Sequence, residues 1–315
     1  MALFLTITPN AVLDLLLFIP EFQPGTPVHV NRAVRSVGGK ALDASVALHH
    51  LGQDSLAVCC LAGQTGKELR AVLSGYPRLH PQVVAVGGET RTAHILVEVN
   101  HSRHTHIFSG GLQLTLVQQD ELVERCREFI PQTRFALTGG TLPPGLPVDF
   151  FHTLAGLCAV QNVPLLVDSW GQPLLACLPG HPTVIKMNRD EFGWTFGSAP
   201  NNLTELARRA RAARQAHAIL AMVITCGGEG LLAFTPQGDF HAWAPPQGVV
   251  NAAGAGDAAS AALAWRLVEG DAWPAALVWA AAASAASVLT EGTADLRLVD
   301  ALTLLPAVEW RSIGE

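Results

Sequence analysis

Short apolar runs alternate with stretches of helical periodicity along most of the chain. The apolar runs have the length of buried strands, and they end at turn-forming residues. The predicted strands are 3–8, 15–19, 28–37, 56–61, 83–86, 135–138, 164–168, 183–187 and 219–225. The predicted helices are 41–51, 67–73, 118–129, 149–160 and 203–216, followed by two more after residue 254. Repeated strand–helix units predict an α/β fold whose mostly parallel sheet is covered on both faces.

Two hairpins depart from this rhythm. In residues 91–108, apolar and polar side chains alternate on either side of a turn at 100–103, which predicts a hairpin with one exposed face. A shorter hairpin is predicted at 231–243. We expect the early extended segments and the first hairpin, at about 12–36 and 89–108, to form a small second sheet that acts as a lid. Residues 1–315 show no interdomain linker, which predicts a single domain.

Composition narrows the class of protein. The chain is 49% hydrophobic and 15% charged, which permits a large buried core and argues against disorder. The formal net charge is −6 and there is no basic stripe, so we expect no nucleic-acid partner. Six cysteines without metal-ligand spacing, and a first segment unlike a signal peptide, predict a cytoplasmic protein with free thiols. The apolar stretch 273–289 is rich in alanine and predicts a core helix, with no membrane partner.

The stretch 250–262, VNAAGAGDAASAA, carries the first chemical signal. Its small residues predict a tight turn that opens a helix, and unpaired N–H groups at a helix N-terminus bind anions. Asp257 falls in the first helical turn, where it would act as a general base beside the anion. Two other interpretations compete: an acid favoured by the helix dipole, and a weak dinucleotide fingerprint at Gly254-x-Gly256.

Loops that follow parallel strands meet at one edge of a sheet, where ligands bind in such folds. The loops expected to converge are 10–14, 38–43, 139–145, 186–191 and 254–257. Gly38-Gly39-Lys40 resembles half of a Walker motif, but Ala41 replaces the Ser or Thr that would hold magnesium. Lys40 is therefore expected to contact substrate, the alternative being a solvated lysine at a helix start.

Two further loops have both a functional and a structural interpretation. Asn188 and Glu191 are three residues apart, which suits a water-coordinated Mg²⁺ beside phosphate oxygens, or alternatively a helix-capping pair. The glycine turn 225–230 follows a predicted strand and is either a nucleotide-binding loop or a hairpin turn.

Together the motifs resemble those of the ribokinase-like (PfkB) family of sugar kinases, most closely the branch of 1-phosphofructokinase and tagatose-6-phosphate kinase. The resemblance runs nearly end to end and in the family's order. It is carried by Asn10-x-x-x-Asp14, Val30-Asn31-Arg32, Gly38-Gly39-Lys40, Thr90-Arg91, the loop GTLPPG at 140–145, IKMNRDE at 185–191 and NAAGAGD at 251–257.

The resemblance implies a three-layer α/β/α fold with a β lid that often forms a homodimer. It implies transfer of the γ-phosphate of ATP to a hydroxyl of a hexose phosphate, with Asp257 as base and the amides of Gly254, Ala255 and Gly256 stabilising the transferred group. Asn188 and Glu191 would help to place Mg²⁺. The implied nucleotide-binding residues are Lys186, Asn188, Thr225, Gly227 and Gly230. The implied acceptor-binding residues are Asp14, Arg32, Gly38, Gly39, Lys40, Asp43, Arg91 and Thr141.

The departures from the family pattern lie on the acceptor side. Asp43 stands where the family has Asn, Ala41 where it has Gly, Ala93 where it has Asn, and Thr141 where it has Ser. A carboxylate at position 43 accepts from sugar hydroxyls but disfavours a nearby anion unless Lys40 pairs with it. Two alternatives therefore stay open: a kinase for an unphosphorylated sugar or nucleoside, and a sugar-binding or regulatory protein of the same fold without turnover.

Overall fold

The structure is a computed structural model that describes residues 4–101, 103–198 and 200–314. Its strands are β1 (Phe4–Thr8), β2 (Val12–Ile19), β3 (Arg32–Gly38), β4 (Ser55–Leu61), β5 (Leu79–Ala85), β6 (Gly87–Glu98), β7 (Arg103–Gln113), β8 (Phe135–Gly139), β9 (Leu165–Asp168), β10 (Val184–Asn188), β11 (Met222–Thr225), β12 (Leu231–Thr235), β13 (Gly238–Trp243) and β14 (Glu309–Ser312). Its helices are α1 (Lys40–His50), α2 (Gly63–Leu73), α3 (Leu116–Phe129), α4 (Phe150–Val160), α5 (Gly171–Cys177), α6 (Arg189–Phe196), α7 (Leu203–Ala216), α8 (Ala255–Val268), α9 (Trp273–Ser287) and α10 (Leu298–Leu304).

A ten-stranded sheet forms the centre of the molecule, in the order β14-β13-β12-β11-β10-β9-β8-β1-β4-β5. The neighbouring strands from β11 across to β5, namely β11, β10, β9, β8, β1, β4 and β5, run parallel to one another. Strands β12, β13 and β14 add an antiparallel edge. All five residues of β1 are buried, as expected for a strand that helices cover on both faces. One face packs on α3 to α7, and the other packs on α1, α8, α9 and α10. This three-layer α/β/α architecture confirms the predicted fold class.

A second sheet of four strands, in the order β3-β2-β6-β7, stands beside the first. Strand β2 pairs parallel with β6 and antiparallel with β3, and β6 and β7 form the predicted hairpin. The side chains of Leu16, Phe18, Ile95 and Val97 alternate along β2 and β6 and are buried together. This alternation gives the second sheet one apolar face.

Several boundaries differ from the predicted ones. The strand predicted at 28–37 begins at Arg32, because residues 28–31 lie outside the β2–β3 ladder. Strand β2 begins at Val12 rather than at 15, since Asp14 is a buried strand residue that an apolar pattern does not include. Helices α5, α6 and α10 and strand β14 had no predicted counterpart; each is at most eight residues long, too short for a clear period. The predicted strand start at Leu3 and part of the turn 100–103 lie outside the described residues.

Helices α8 and α9 pack closely because alanine lines their contact. Their buried residues are mostly alanines, including Ala261, Ala264, Ala280 and Ala283. The stretch 273–289 therefore forms a core helix, as predicted, and among the described residues no helix has the length and apolar character to cross a membrane. Five of the cysteines are buried thiols and Cys226 is half-buried, so all six are free, as predicted.

Candidate active site

The predicted loops do meet at one edge of the large sheet. Strands β8, β9 and β10 are parallel neighbours, so Gly139 lies beside Asp168, and Asp168 beside Lys186. The N-terminus of α8 reaches the same place, since the Ser260 hydroxyl lies 3.4 Å from the Asp168 carboxylate. The carboxyl ends of the strands and the start of α8 therefore share one cleft.

The turn before α8 is fixed by its surroundings. Gly254 has a φ of +79°, and a Cβ there would lie 2.1 Å from the amide nitrogen of Ala294, so this position requires glycine. Asn251 holds the turn from below: its Oδ1 accepts from the Ala253 amide at 3.0 Å, and its Nδ2 donates to the Glu291 carbonyl at 3.0 Å. The amides at the start of α8 therefore have a fixed direction.

These amides leave room for an anion. Asp257 and Ala258 donate their N–H groups to the Gly254 carbonyl at 3.0 and 2.9 Å. Within the part of the chain that the structure describes, the Gly256 amide has no backbone acceptor. The Lys186 ammonium lies close to Gly256, because a Cβ on this glycine would be 3.2 Å from Lys186 Nζ. A free N–H, a helix dipole and a cation thus coincide.

Asp257 is half-buried at the entrance to α8, and no hydrogen bond links its side chain to another described residue. Burial raises the pKa of its carboxyl to about 7, and the nearby Asp168 carboxylate adds to this, while Lys186 and Lys40 oppose it. A carboxyl with this pKa is partly deprotonated at neutral pH and basic enough to take a proton from an alcohol during transfer.

A buried charge network lies under the cleft. Asp168 accepts from Lys186 Nζ at 2.5 Å and from Lys40 Nζ at 2.6 Å. Burial opposes ionisation of Asp168, but the two ammonium groups keep its pKa below the usual value. Asp168 was not among the predicted site residues. The available signal was its position as the last residue of an apolar strand.

The structure excludes one of the two interpretations of Lys40. Its Nζ also donates to Glu191 Oε1 at 2.7 Å, and its side chain is only 22% exposed. It is therefore not a solvated lysine, and its ion pairs go to Asp168 and Glu191 rather than to Asp43. Burial opposes its charge, but the carboxylates of Asp168 and Glu191 raise its pKa.

The pair Asn188 and Glu191 forms a capping box at the start of α6. Asn188 Oδ1 accepts from the Glu191 amide at 2.8 Å, and Glu191 Oε2 accepts from the Asn188 amide at 2.8 Å. The structural alternative is therefore realised in the geometry. Asn188 also lines the nucleotide cavity described below, so capping does not remove it from the site.

On the predicted acceptor side, Asp14 of β2 is buried. Its Oδ2 accepts from the Thr293 hydroxyl at 2.6 Å, and a Cβ on Gly38 would lie 2.2 Å from its Oδ1. Burial raises the pKa of Asp14 to about 7, while Thr293 and Arg91 oppose this shift. Thr293 was not predicted, because it lies in a loop after α9 that carries none of the motifs.

Asp43 is also buried, in the first turn of α1 after Gly39, whose φ is +111°. Burial raises the pKa of Asp43 well above its usual value, and the carboxylates of Asp257 and Asp14 raise it further. Its Oδ1 has no hydrogen-bond partner among the described residues. The acceptor side is therefore a group of mutually repelling carboxyls.

The cations expected to hold a substrate phosphate lie at different depths. Arg91 donates to the Asn10 carbonyl at 3.2 Å, and its guanidinium lies 5.3 Å from the centre of the Phe108 ring. Thr141 accepts from Asn10 Nδ2 at 2.8 Å, so it lies in the same group. Arg32 is largely exposed and pairs with Glu291 at 2.6 Å, which places it at the rim.

The predicted nucleotide side contains a cavity of about 380 Å³. Four of the predicted residues line it, namely Asn188, Thr225, Gly227 and Gly230, whereas Lys186 lies in the charge network instead. Residues that were not predicted complete the wall: Ala244, Pro245, Pro246, Gln247, Val249, Ala281, Ser284, Ala285 and Val288. They lie in a loop and a helix face that carry no motif.

Gly230 shows that the two interpretations of the 225–230 turn are compatible. It has a φ of +89°, and a Cβ there would lie 2.1 Å from the Ala242 carbonyl oxygen of β13. The turn therefore joins strands β11 and β12 and at the same time forms a wall of the cavity.

Comparison with known proteins agrees with this geometry. The family model described as "pfkB family carbohydrate kinase" matches residues 9–299. The chain is 29% identical to the D-tagatose-1-phosphate kinase of Bacillus licheniformis over 299 residues, which cover 94% of this chain and 95% of that protein. It is 26% identical to the tagatose-6-phosphate kinase of Staphylococcus epidermidis over 268 residues, 84% of this chain and 86% of that protein.

A solved structure described as a possible 1-phosphofructokinase from Thermotoga maritima superposes with a TM-score of 0.89. It is 21% identical, and the match covers 99% of this chain and 100% of that chain. At this identity the superposition shows that the two chains share a fold.

Proposed function

The chain belongs to the pfkB family of carbohydrate kinases, and from this membership we propose that it transfers the γ-phosphate of ATP to a hydroxyl of a hexose phosphate. One observation carries the proposal. The Asp257 carboxyl lies at the N-terminus of α8, close enough to Asp43, Lys40 and Lys186 for their charges to interact, while its neighbour Gly256 lines the predicted nucleotide cavity.

In the proposed mechanism Asp257 removes the proton from the acceptor hydroxyl as its oxygen bonds to the γ-phosphorus. The bond between that phosphorus and the β–γ bridging oxygen breaks, and ADP leaves. The Gly256 amide and the dipole of α8 stabilise the charge on the transferred group, together with the amides of Gly254 and Ala255. Lys186 lies under this turn and adds positive charge from below.

Magnesium fits the site through water. Asn188 and Glu191 supply oxygens, which are the ligands that Mg²⁺ prefers. Each already accepts a backbone hydrogen bond, so these side chains would hold the ion through its water shell, next to the nucleotide cavity. Mg²⁺, when bound, neutralises phosphate charge.

For the acceptor, we propose that Asp14, Asp43 and Gly39 take hydroxyl groups and that Arg91, with Arg32 at the rim, takes the phosphate. Two carboxyls that accept from hydroxyls suit a polyol, and a guanidinium binds phosphate through several N–H groups. The relatives named as kinases for tagatose 6-phosphate and D-tagatose 1-phosphate support a ketohexose phosphate.

We further propose that the second sheet acts as a lid and forms a homodimer, with the whole chain as one domain in the cytoplasm. The sheet face opposite to its buried apolar face carries Leu15, Leu17, Leu96 and Ile107, which are half-buried or exposed in one chain. The free cysteines suit a reducing compartment.

The test is ADP release over a panel of acceptors: ketohexose 1- and 6-phosphates, the unphosphorylated hexoses, and nucleosides. We expect ATP-dependent turnover with the phosphates, and turnover lower by about 10²–10⁴ in the Asp257→Asn variant. Turnover with unphosphorylated acceptors alone would assign the enzyme to the second substrate class. Tight sugar binding without ADP release would contradict a kinase.

A further inference from the structure

We propose that Trp170 is a positioning residue for the transfer reaction, and that its indole ring holds the Lys40 ammonium in the cleft between the acceptor and nucleotide sites. Trp170 lies in none of the motifs that indicated a kinase, and it follows Asp168 and Ser169 at the end of β9.

The ring forms a third wall around a cation that two carboxylates already hold. Lys40 Nζ donates to Asp168 at 2.6 Å and to Glu191 at 2.7 Å, and it lies 4.7 Å from the centre of the Trp170 ring. A lysine ammonium has a flexible stem and is strongly hydrated, so two ion pairs alone leave it a water-facing side. The indole face attracts the cation and covers that side.

The orientation of Trp170 is set from both directions along the chain. The preceding Ser169 hydroxyl donates to the Gly140 carbonyl at 3.0 Å. The following Gly171 amide donates to Thr195 Oγ1 at 2.8 Å, and that hydroxyl donates to the Glu191 carbonyl at 2.7 Å. The backbone next to Trp170 and the backbone of Glu191 are therefore linked through Thr195, so that the ring and the carboxylate that contact the same ammonium belong to one connected unit.

Trp194 offers a matched comparison. It packs on Trp170 with ring centres 6.3 Å apart, but it is 66% exposed and has no cation contact with Lys40. The same amino acid therefore occurs twice in one aromatic pair, once against the cation and once in solvent. Only Trp170 is expected to matter for the position of Lys40.

The first test needs no activity. The chain has three lysines, Lys40, Lys67 and Lys186, so acetylation of the full-length protein by acetic anhydride can be followed at each by mass spectrometry. Lys67 is exposed and Lys186 is 3% exposed, which gives an internal reference at both extremes. We expect Trp170→Leu to raise the labelling rate of Lys40 about tenfold, Trp170→Phe to raise it less, and Trp194→Leu to leave it unchanged. Unchanged labelling of Lys40 in Trp170→Leu would overturn the proposal.

A second measurement removes the charge attraction without removing the ring. Fluorinated tryptophan keeps the indole shape but has a weaker negative face. Its incorporation should raise Lys40 labelling in the natural chain, and should not raise it in the Trp170→Phe variant. An equal rise in both chains would show that another tryptophan or a general loosening is responsible.

The kinetic test rests on the proposed function. We expect Trp170→Leu to lower kcat about tenfold with KM for ATP nearly unchanged, and Trp170→Phe to recover most of the loss. In a Lys40→Met background the same change should have no further effect. Equal losses in both backgrounds would overturn the positioning role. Absence of turnover in the natural chain would count against the proposed function alone, and the labelling results would still decide the role of Trp170.

Discussion

The two halves of the cleft are built in opposite ways. The nucleotide side is an open cavity of about 380 Å³, and glycine, alanine, proline and short polar side chains form most of its wall. The acceptor side is closed and charged: Asp14 and Asp43 are buried there, and Asp43 Oδ1 lacks a partner within the described residues. We therefore expect the shape of the cavity and its backbone groups to determine binding on the nucleotide side, and charge to determine it on the acceptor side.

This contrast shows where single substitutions will be felt. A wall of small groups and backbone amides offers few side-chain atoms to remove. Substitutions there therefore act mainly by changing the space that is available to the ligand. Buried carboxyls are costly to ionise and strongly coupled, so a change in one of them alters the charge of the others. We expect large and pH-dependent effects on the acceptor side, and small, uniform ones on the nucleotide side.

The largest effect should come from Asp257, where the two halves meet. Asp257→Asn removes the base but keeps the shape, so kcat should fall by about 10²–10⁴ with little change in either KM. Steady-state kinetics with the preferred acceptor measure this. A loss confined to KM would mean that Asp257 binds substrate and does not take the proton.

In the natural chain, the titration of Asp257 should appear in the pH dependence of kcat/KM. Burial raises the pKa of Asp257 to about 7, and only the deprotonated form accepts a proton, so kcat/KM should fall as the pH drops below about 7. Asp14, also raised to about 7 by burial, contributes to the same limb. A flat profile down to pH 5 would contradict this electrostatic description of the acceptor side.

The next effect concerns Asp14, which accepts from Thr293. Asp14→Asn removes a charged acceptor for a substrate hydroxyl, and KM for the sugar should rise roughly 10- to 100-fold, since such hydrogen bonds contribute about 1.5–3 kcal/mol. Thr293→Val is the matched control: it removes the protein partner of Asp14 and should give a smaller rise. A larger rise for ATP than for the sugar would break the division into two halves.

The next prediction concerns Asp43 and the pH dependence of the free energy of unfolding. Its pKa is raised by burial and by neighbouring carboxylates, so the folded state is favoured when Asp43 is protonated and penalised as the pH rises through its folded pKa. Asp43→Asn removes the charge and keeps the shape, so it should stabilise the fold at high pH and do so much less at pH 5. Thermal unfolding at the two pH values checks the sign; destabilisation at both would mean that Asp43 has a partner that the fold needs.

The smallest effect is expected at the nucleotide wall. Gln247 lines the cavity and donates through Nε2 to the Pro245 carbonyl at 2.8 Å, so its side chain is already engaged. Gln247→Ala should change KM for ATP by less than about fivefold, because a local hydrogen bond contributes only about 1 kcal/mol. A much larger change would show that this side also reads its ligand through side chains.

Sequence patterns predicted the parts of the molecule that follow a local rule. The buried parallel strands, the alternating hairpin and the glycine turn before Asp257 each have a period or a conformation that their own residues dictate. Short elements such as α6 were not predicted. The start of this helix depends on the capping pair Asn188 and Glu191, and the same two residues also suit a metal site.

Long-range partners were beyond the reach of local patterns. Asp168 and Lys40 are 128 positions apart in the chain and form an ion pair, and nothing near either residue indicates the other. Thr293 and the wall of the nucleotide cavity were missed for the same reason. Motifs identified which residues carry chemistry, whereas the folded chain determined which charges face each other.

The hydrogen bond between Asp14 and Thr293 has a consequence for the chain during its synthesis. The two residues are 279 positions apart, so at a synthesis rate of about 5–20 residues per second the carboxyl waits roughly 15 to 55 s for its hydroxyl. Until then a nascent chain has an acceptor carboxyl without its partner. The acceptor side therefore reaches its final pattern of charge only after residue 293 has been added to the chain.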